Sequence, residues 1–99
     1  MVEGVSASGL ADGRVVVSAS WGENNFDAAQ SDDAVVLYVC SATCRLGLVV
    51  DGTRGTFFGP AKVATHGQDG VVVYEAEPKL DAGPDRTVLR RFTCDAPSP

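Results

Sequence analysis

Apolar and polar residues alternate with a period of two along most of this chain, and clusters of turn residues separate the alternating segments. No segment longer than about ten residues keeps a helical period. Valine occurs 15 times and isoleucine is absent, and an excess of valine favours strands over helices. The sequence therefore predicts an all-β protein built from two packed antiparallel sheets.

Length and charge limit the classes of function. A chain of 99 residues has room for one domain, which we place at residues 1–94, followed by a short tail at 95–99. The net charge of -5 repels phosphate, so we expect no nucleic-acid partner unless Arg86, Arg90 and Arg91 form a local basic patch. The apolar runs are shorter than the roughly 18 residues of a membrane span, so no membrane partner is expected either.

The first residues leave the compartment open. Residues 1–4 lack the basic and apolar regions of a secretory signal. The sequence is compatible with a virion or cytoplasmic protein if Met1 is native, and with a secreted protein if a signal peptide has been removed.

The strand signals differ in how they distribute apolar residues. Residues 35–40 are apolar on both faces, which predicts a central strand covered by another sheet on one side and by a loop or a partner on the other. Residues 14–21 alternate instead, which predicts a half-buried strand. One face of that strand carries Val15, Val17, Ala19 and Trp21, and the other carries Val16, Ser18 and Ser20.

Turn residues 51–55 predict a hairpin between the alternating segment 46–50 and the segment 56–58. Pro60 cannot donate to a ladder, which favours an edge or a bulge at residues 57–63. Adjacent Phe57 and Phe58 point to opposite sides of a strand, so one of them faces away from the core. That phenylalanine is either covered by a loop or available to a partner.

Three cysteines, Cys40, Cys44 and Cys94, permit one bridge and leave one thiol over. One predicted disulfide is Cys40–Cys94, because each of these residues ends a strand-like segment and such a separation joins strands across a sandwich. A Cys40–Cys44 bridge is equally compatible with the spacing if residues 41–43 form a tight turn. Three reduced thiols are the remaining alternative.

The segment 22–34 is a polar, acidic loop that is long for a small domain, and loops of this length are often functional. Asp27, Asp32 and Asp33 lie in it without the alternating pattern of a calcium loop, so we interpret them as a solvated surface. His66, the single histidine, lies among turn residues, and no nucleophile or phosphate-binding motif is present. We therefore predict no catalytic residue, no metal site and no cofactor.

The segment Ser8–Gly13, followed by Val15, Val17 and Ala19, is similar to the opening of immunoglobulin-like bacterial sandwiches. Together with residues 44–48, just after Cys40, it resembles the actinomycete chromophore carriers of the neocarzinostatin type. That family has two disulfides, whereas this chain has three cysteines, and the similar segments differ in order and spacing. The resemblance implies an immunoglobulin-like antiparallel β-sandwich of six to eight strands, and it identifies no binding residue.

These observations predict a non-enzymatic protein-interaction or assembly module, with a virion-surface or decoration protein as one concrete form. The expected partner surface combines the long loop with the edge at residues 57–60, which should be buried against a protein partner. The alternatives are a secreted small-ligand carrier with an apolar cleft near Trp21 or Phe58, and an enzyme inhibitor that presents a rigid loop. The predicted partner-binding residues are Asp27, Asp32, Asp33, Phe57 and Phe58.

Overall fold

The computed structural model describes residues 2–22, 33–52, 56–78 and 83–95, and this part of the chain forms antiparallel strands joined by turns and short connections. It contains no helix that could cross a membrane. The strands are β1 (Val2–Gly9), β2 (Val15–Trp21), β3 (Ala34–Cys40), β4 (Cys44–Asp51), β5 (Thr56–Phe58), β6 (Lys62–His66), β7 (Asp69–Pro78) and β8 (Arg86–Thr93).

The strands form two four-stranded sheets. Sheet A has the order β1-β2-β3-β4, so each strand pairs with the next one along the chain. In sheet B the long strand β7 is central, with β8 along one side and β5 and β6 pairing with successive parts of β7. The prediction of an all-β antiparallel sandwich of six to eight strands is confirmed, and its likeness to immunoglobulin domains is one of architecture.

The predicted hairpin between residues 46–50 and 56–58 is wrong. β4 pairs with β3 in sheet A, whereas β5 pairs with β7 in sheet B, where Phe58 lies opposite Ala76. The segment that follows β4 therefore carries the chain from one sheet to the other. Turn residues such as Asp51 and Gly52 serve such a connection as well as a hairpin, so the turn composition could not distinguish the two.

β1 was not expected, because its sequence is rich in glycine, serine and alanine rather than in β-branched residues. The strand passes close to the chain between β5 and β6. A Cβ atom built at Gly4 would lie 2.7 Å from the Cβ of Pro60, so a larger residue at Gly4 would push the two segments apart. Small residues in β1 therefore permit this close approach.

The core lies between the sheets. Its almost fully buried side chains are Leu10, Val16, Val35, Leu37, Phe58, Ala61, Val63, Val72, Tyr74 and Ala76. β7 alternates between the core and the surface, because Val72, Tyr74 and Ala76 are buried while Glu75 on the opposite face is exposed. The Phe58 and Tyr74 rings meet edge to face at 5.7 Å, a geometry that stabilises aromatic pairs.

Serine side chains bind the two sheets together along one side of the sandwich. In β2 the serine face points inward, so Ser18 and Ser20 are buried, whereas Val15 and Trp21 face outward. The Ser20 hydroxyl accepts a bond from the Ala61 N–H at 2.9 Å and donates to the Gly59 carbonyl at 2.6 Å. Ser18 donates to the Ala61 carbonyl at 3.2 Å. We call these contacts, together with those of Ser6 and Ser8 in β1 described below, the serine seam.

Candidate interaction surface

The outward side of sheet A is an apolar face, and no other strand in the described part of the chain packs against it. Cross-strand pairing sets its rows: Ala7, Val17, Tyr38 and Leu46 form one row, and Val5, Ala19, Val36 and Val49 form the next. Val15 and Trp21 extend the two ends of the surface along β2. We call these ten residues the apolar face.

Large side chains at the margins of the apolar face are well exposed. Val5 is 65% exposed on β1, and Leu46 and Val49 are 58% and 53% exposed on β4. Ala19 lies between these margins and is buried. The surface therefore dips at Ala19, between exposed side chains on β1 and β4, while Tyr38 and Trp21 on the central strands are also exposed.

The apolar face carries no charged side chain at any of its ten positions, although the whole chain has a net charge of -5. The outward side of sheet B differs, because it mixes apolar residues such as Val73 and Leu89 with Lys62, Glu75 and Arg91. Exposed apolar surface of this extent, with charge excluded from it, is typical of a contact surface for another macromolecule.

The sequence contained part of the signal for this surface. The two apolar faces of β3 predicted that a loop or a partner covers the side opposite the core, and Val36 and Tyr38 lie on that side. The prediction that β2 has two different faces is confirmed. The sequence did not show that the serine face is the buried one, because buried serines depend on partners that are distant in the chain.

The disulfide lies at the end of the apolar face and joins Cys40 to Cys44, so the expected Cys40–Cys94 bridge is wrong. Cys40 ends β3 and Cys44 begins β4, and the two residues are directly opposite each other with their Cα atoms 4.0 Å apart. Residues 41–43 form the tight turn that this pairing requires. Cys94 follows β8 in sheet B, where it is a free thiol whose pKa burial raises.

The outer edge strands β4 and β8 carry features that oppose pairing with a strand of another chain. The ladder between β3 and β4 has two irregularities, which leave Gly47 and Val50 in β4 without an opposite residue. Bulges on an edge strand oppose pairing with another strand. β8, at the edge of sheet B, carries Arg86, Arg90 and Arg91, and charged side chains have the same effect.

The edge formed by β5 and β6 is closed by sheet A through the serine seam. The Val63 N–H donates to the Ser6 hydroxyl at 3.2 Å, and the Ser8 and Thr65 hydroxyls are 2.5 Å apart. Residues 59–61 bind Ser18 and Ser20 as described above. The edge at residues 57–60, expected to be buried against a partner, is therefore held by the same chain.

Phe58 is 3% exposed and belongs to the core, so the prediction that it contacts a partner is corrected. Phe57 is the outward phenylalanine of the pair and lies opposite Glu77, where it is half-buried. Asp33 is 6% exposed, so it does not belong to a solvated acidic surface. Asp27 and Asp32 lie outside the described residues, and their role in partner binding stays a prediction.

A polar contact joins the two sheets on the side of β4 and β8. The Tyr74 hydroxyl donates to the Asp51 carboxylate at 2.8 Å, and the Arg90 guanidinium lies beside the same hydroxyl. Burial raises the pKa of Tyr74, so this hydroxyl remains protonated at neutral pH. Arg90 lies opposite Val72 and Arg91 opposite Val71, so the two arginines point to different faces of β8.

A second polar cluster ties the β1–β2 turn to the end of β8. Arg14 forms an ion pair with Asp12 at 2.7 Å and donates to the backbone carbonyls of Cys94 and Asp95. Gln68 donates to Asp12 and to the Cys94 carbonyl. The hydrogen bond from the Arg14 side chain holds the pKa of the Asp12 carboxyl well below its ordinary value.

The described residues contain no group of three or more side chains able to hold a metal ion. An open depression of about 580 Å³ lies at the β6–β7 hairpin and includes Ala64, His66, Val71 and Arg91 in its lining. The carrier alternative expected a cleft near Trp21 or Phe58. Trp21 lies on the apolar face and Phe58 in the core, and neither lines this depression.

No protein-family model matches the chain, and neither the curated proteins nor the solved structures include a significant match. The resemblance to the neocarzinostatin-type carriers therefore rests on the two sequence segments alone. The class that the structure defines is an all-β antiparallel sandwich with an exposed apolar sheet face.

Proposed function

We propose that this chain is a non-enzymatic protein-interaction module and that the apolar face is its docking surface. The observation that carries the proposal is the exposure of Val5, Leu46 and Val49 together on a face without charge. Leaving such side chains in water forgoes the free energy of their burial, which a docked partner recovers.

The sheet edges support a docking mode in which a partner covers the face of sheet A rather than extending it by another strand. Edge pairing needs an unobstructed row of backbone groups, and β4 interrupts this row at Gly47 and Val50. A face contact has no such requirement. The function therefore depends on burial of apolar side chains rather than on strand addition.

An assembly role extends the same proposal. A module that docks through one sheet face leaves the opposite face, with Lys62, Glu75 and Arg91, in contact with water. Decoration of a larger particle, such as a virion surface, is one form of this arrangement, in which the particle covers the apolar face. Its support is the contrast between one uncharged face and one charged face.

Native mass spectrometry of the protein purified from its source tests the proposal. We expect a complex with a protein chain, lost when Leu46→Glu places a charge on the apolar face and kept in Leu89→Glu. Leu89 is the matched control, because it is 56% exposed on the outward side of the other sheet, against 58% for Leu46. A bound small molecule without a protein partner would contradict the proposal and favour a ligand carrier.

A further inference from the structure

We infer that the partner covering the apolar face is a second copy of this chain, stacked face to face across a two-fold axis. This inference rests on the proposed function, and it adds the identity of the partner and the geometry of the contact. Three properties of the face lead to it: its charge, its shape and its size.

The absence of charge on the apolar face disfavours strongly charged partners and is compatible with a second copy of the same face. An acidic or basic partner would need countercharges, and none of the ten positions of the apolar face offers one. Two chains with a net charge of -5 repel each other in general. Contact through the uncharged face places no like charges directly opposite each other.

The shape of a sheet also favours a copy of itself. Two sheets pack about 10 Å apart when their twists match, and two copies of sheet A have the same twist. Val5 and Leu46 lie on opposite sides of the local depression at Ala19. In a two-fold stack, exposed side chains of one copy can fill this depression in the other, so the same patch serves both chains.

The size of the face is sufficient for a weak, specific dimer. Four strands about 4.8 Å apart and seven residues long cover a flat area on the order of 450 Å², to which protruding side chains add further surface. The total area buried on two chains, with the protruding side chains included, reaches about 1,000 Å², which is the lower limit for a specific interface. Interfaces at this lower limit are typical of weak, transient complexes, so we expect a dimer that dissociates on dilution.

The edges predict that association stops at two chains. β4 is interrupted by bulges, and β8 carries arginines. β1, the other edge of sheet A, faces β6, where Ser6 and Ser8 bond to Val63 and Thr65. With these edges blocked, a stack across one face leaves no second apolar face to continue it. The expected species are monomer and dimer, without longer assemblies.

Sedimentation velocity of the full chain, from about 5 to 500 μM, tests the inference. We expect the wild type to pass from monomer to dimer as the concentration rises. Leu46→Glu, and separately Val5→Glu at the opposite margin, should raise the dissociation constant at least about tenfold, because each buries an unpaired charge. Leu89→Glu should leave it unchanged. Circular dichroism and thermal melts verify that each variant is folded.

A wild type that stays monomeric throughout would overturn the inference, as would a dimer that Leu46→Glu and Val5→Glu leave intact. Assemblies larger than two chains would overturn the two-fold stack. These failures are distinguishable from failure of the proposed function. If the wild type is monomeric but binds a different protein, and Leu46→Glu abolishes that binding, the apolar face is a docking surface for another partner. If the monomer binds no protein, both the proposed function and the dimer are contradicted.

Discussion

The Ser20 hydroxyl and the Ala61 amide are joined by a 2.9 Å hydrogen bond that crosses from sheet A to the chain between β5 and β6. The same hydroxyl donates to the Gly59 carbonyl, so it satisfies two backbone groups on either side of Pro60. Pro60 interrupts the edge of sheet B, and Ser20 supplies bonds that a neighbouring strand would otherwise make.

Ser20→Ala should destabilise the fold by about 1 to 3 kcal/mol, because it leaves the Ala61 N–H and the Gly59 carbonyl without this partner in a buried region. Denaturant unfolding measures the change in free energy. Ser41→Ala is the matched control, since Ser41 is exposed in the β3–β4 turn and its loss should cost less than about 0.5 kcal/mol. Equal effects of the two substitutions would mean that the Ser20 contacts do not support the fold.

Leu37→Ala should cost about 2 to 4 kcal/mol, because Leu37 is almost fully buried at the centre of sheet A and its truncation leaves a cavity. Val39→Ala should cost less, since Val39 is only partly buried. Equilibrium unfolding in urea compares the two variants. A loss below about 0.5 kcal/mol for Leu37→Ala would contradict its place in the core.

The Cys40–Cys44 disulfide can be checked by tryptic digestion without reduction. Cleavage after Arg14, Arg45 and Arg91 places both bridged cysteines in the peptide 15–45 and Cys94 in the peptide 92–99. We expect two separate peptides, with Cys94 alone alkylated before reduction. A linked species containing both peptides would instead show that Cys94 takes part in the bridge.

Replacing Cys40 and Cys44 together by serine should cost about 2 kcal/mol by the chain-entropy estimate, since the bridge closes a loop of only about five residues. The effect is limited because closing so short a loop removes little conformational entropy from the unfolded chain. Thermal unfolding of the oxidised, reduced and double-serine proteins measures it. A much larger loss in the double-serine protein than in the reduced protein would indicate a packing role for the sulfur atoms.

Asp12 predicts a specific dependence of stability on pH. Because its folded-state pKa lies below the ordinary value of 3.8, the carboxylate stabilises the fold above that pH and loses this contribution as the pH falls further. Wild type should therefore be more stable than Asp12→Asn at pH 6, and the difference should shrink below about pH 4. Asp85→Asn, an exposed carboxyl outside this cluster, controls for the change of charge. A difference that stays constant with pH would contradict the ion pair with Arg14.

The sequence predicted the fold class and most strands because period-two alternation is a local property. It could not predict which partner each strand takes. β5 pairs with β7 rather than β4, and Ser20 is buried because Ala61, 41 residues away, offers it a partner. The exposed apolar face was partly predictable from the two apolar faces of β3. The prediction that Phe58 binds a partner is wrong because alternation shows that Phe57 and Phe58 point to opposite sides of the strand, but not which of them faces the core.

Trp21 fluorescence tests the central claim most directly, since Trp21 is the single tryptophan of the chain and is 41% exposed on the apolar face. Stacking of two apolar faces should move its emission to shorter wavelength as the protein is concentrated from about 1 to 500 μM. We predict this shift in wild type and in Leu89→Glu, and its loss in Leu46→Glu. An emission maximum that does not change with concentration in wild type, or that shifts equally in Leu46→Glu, would contradict the account.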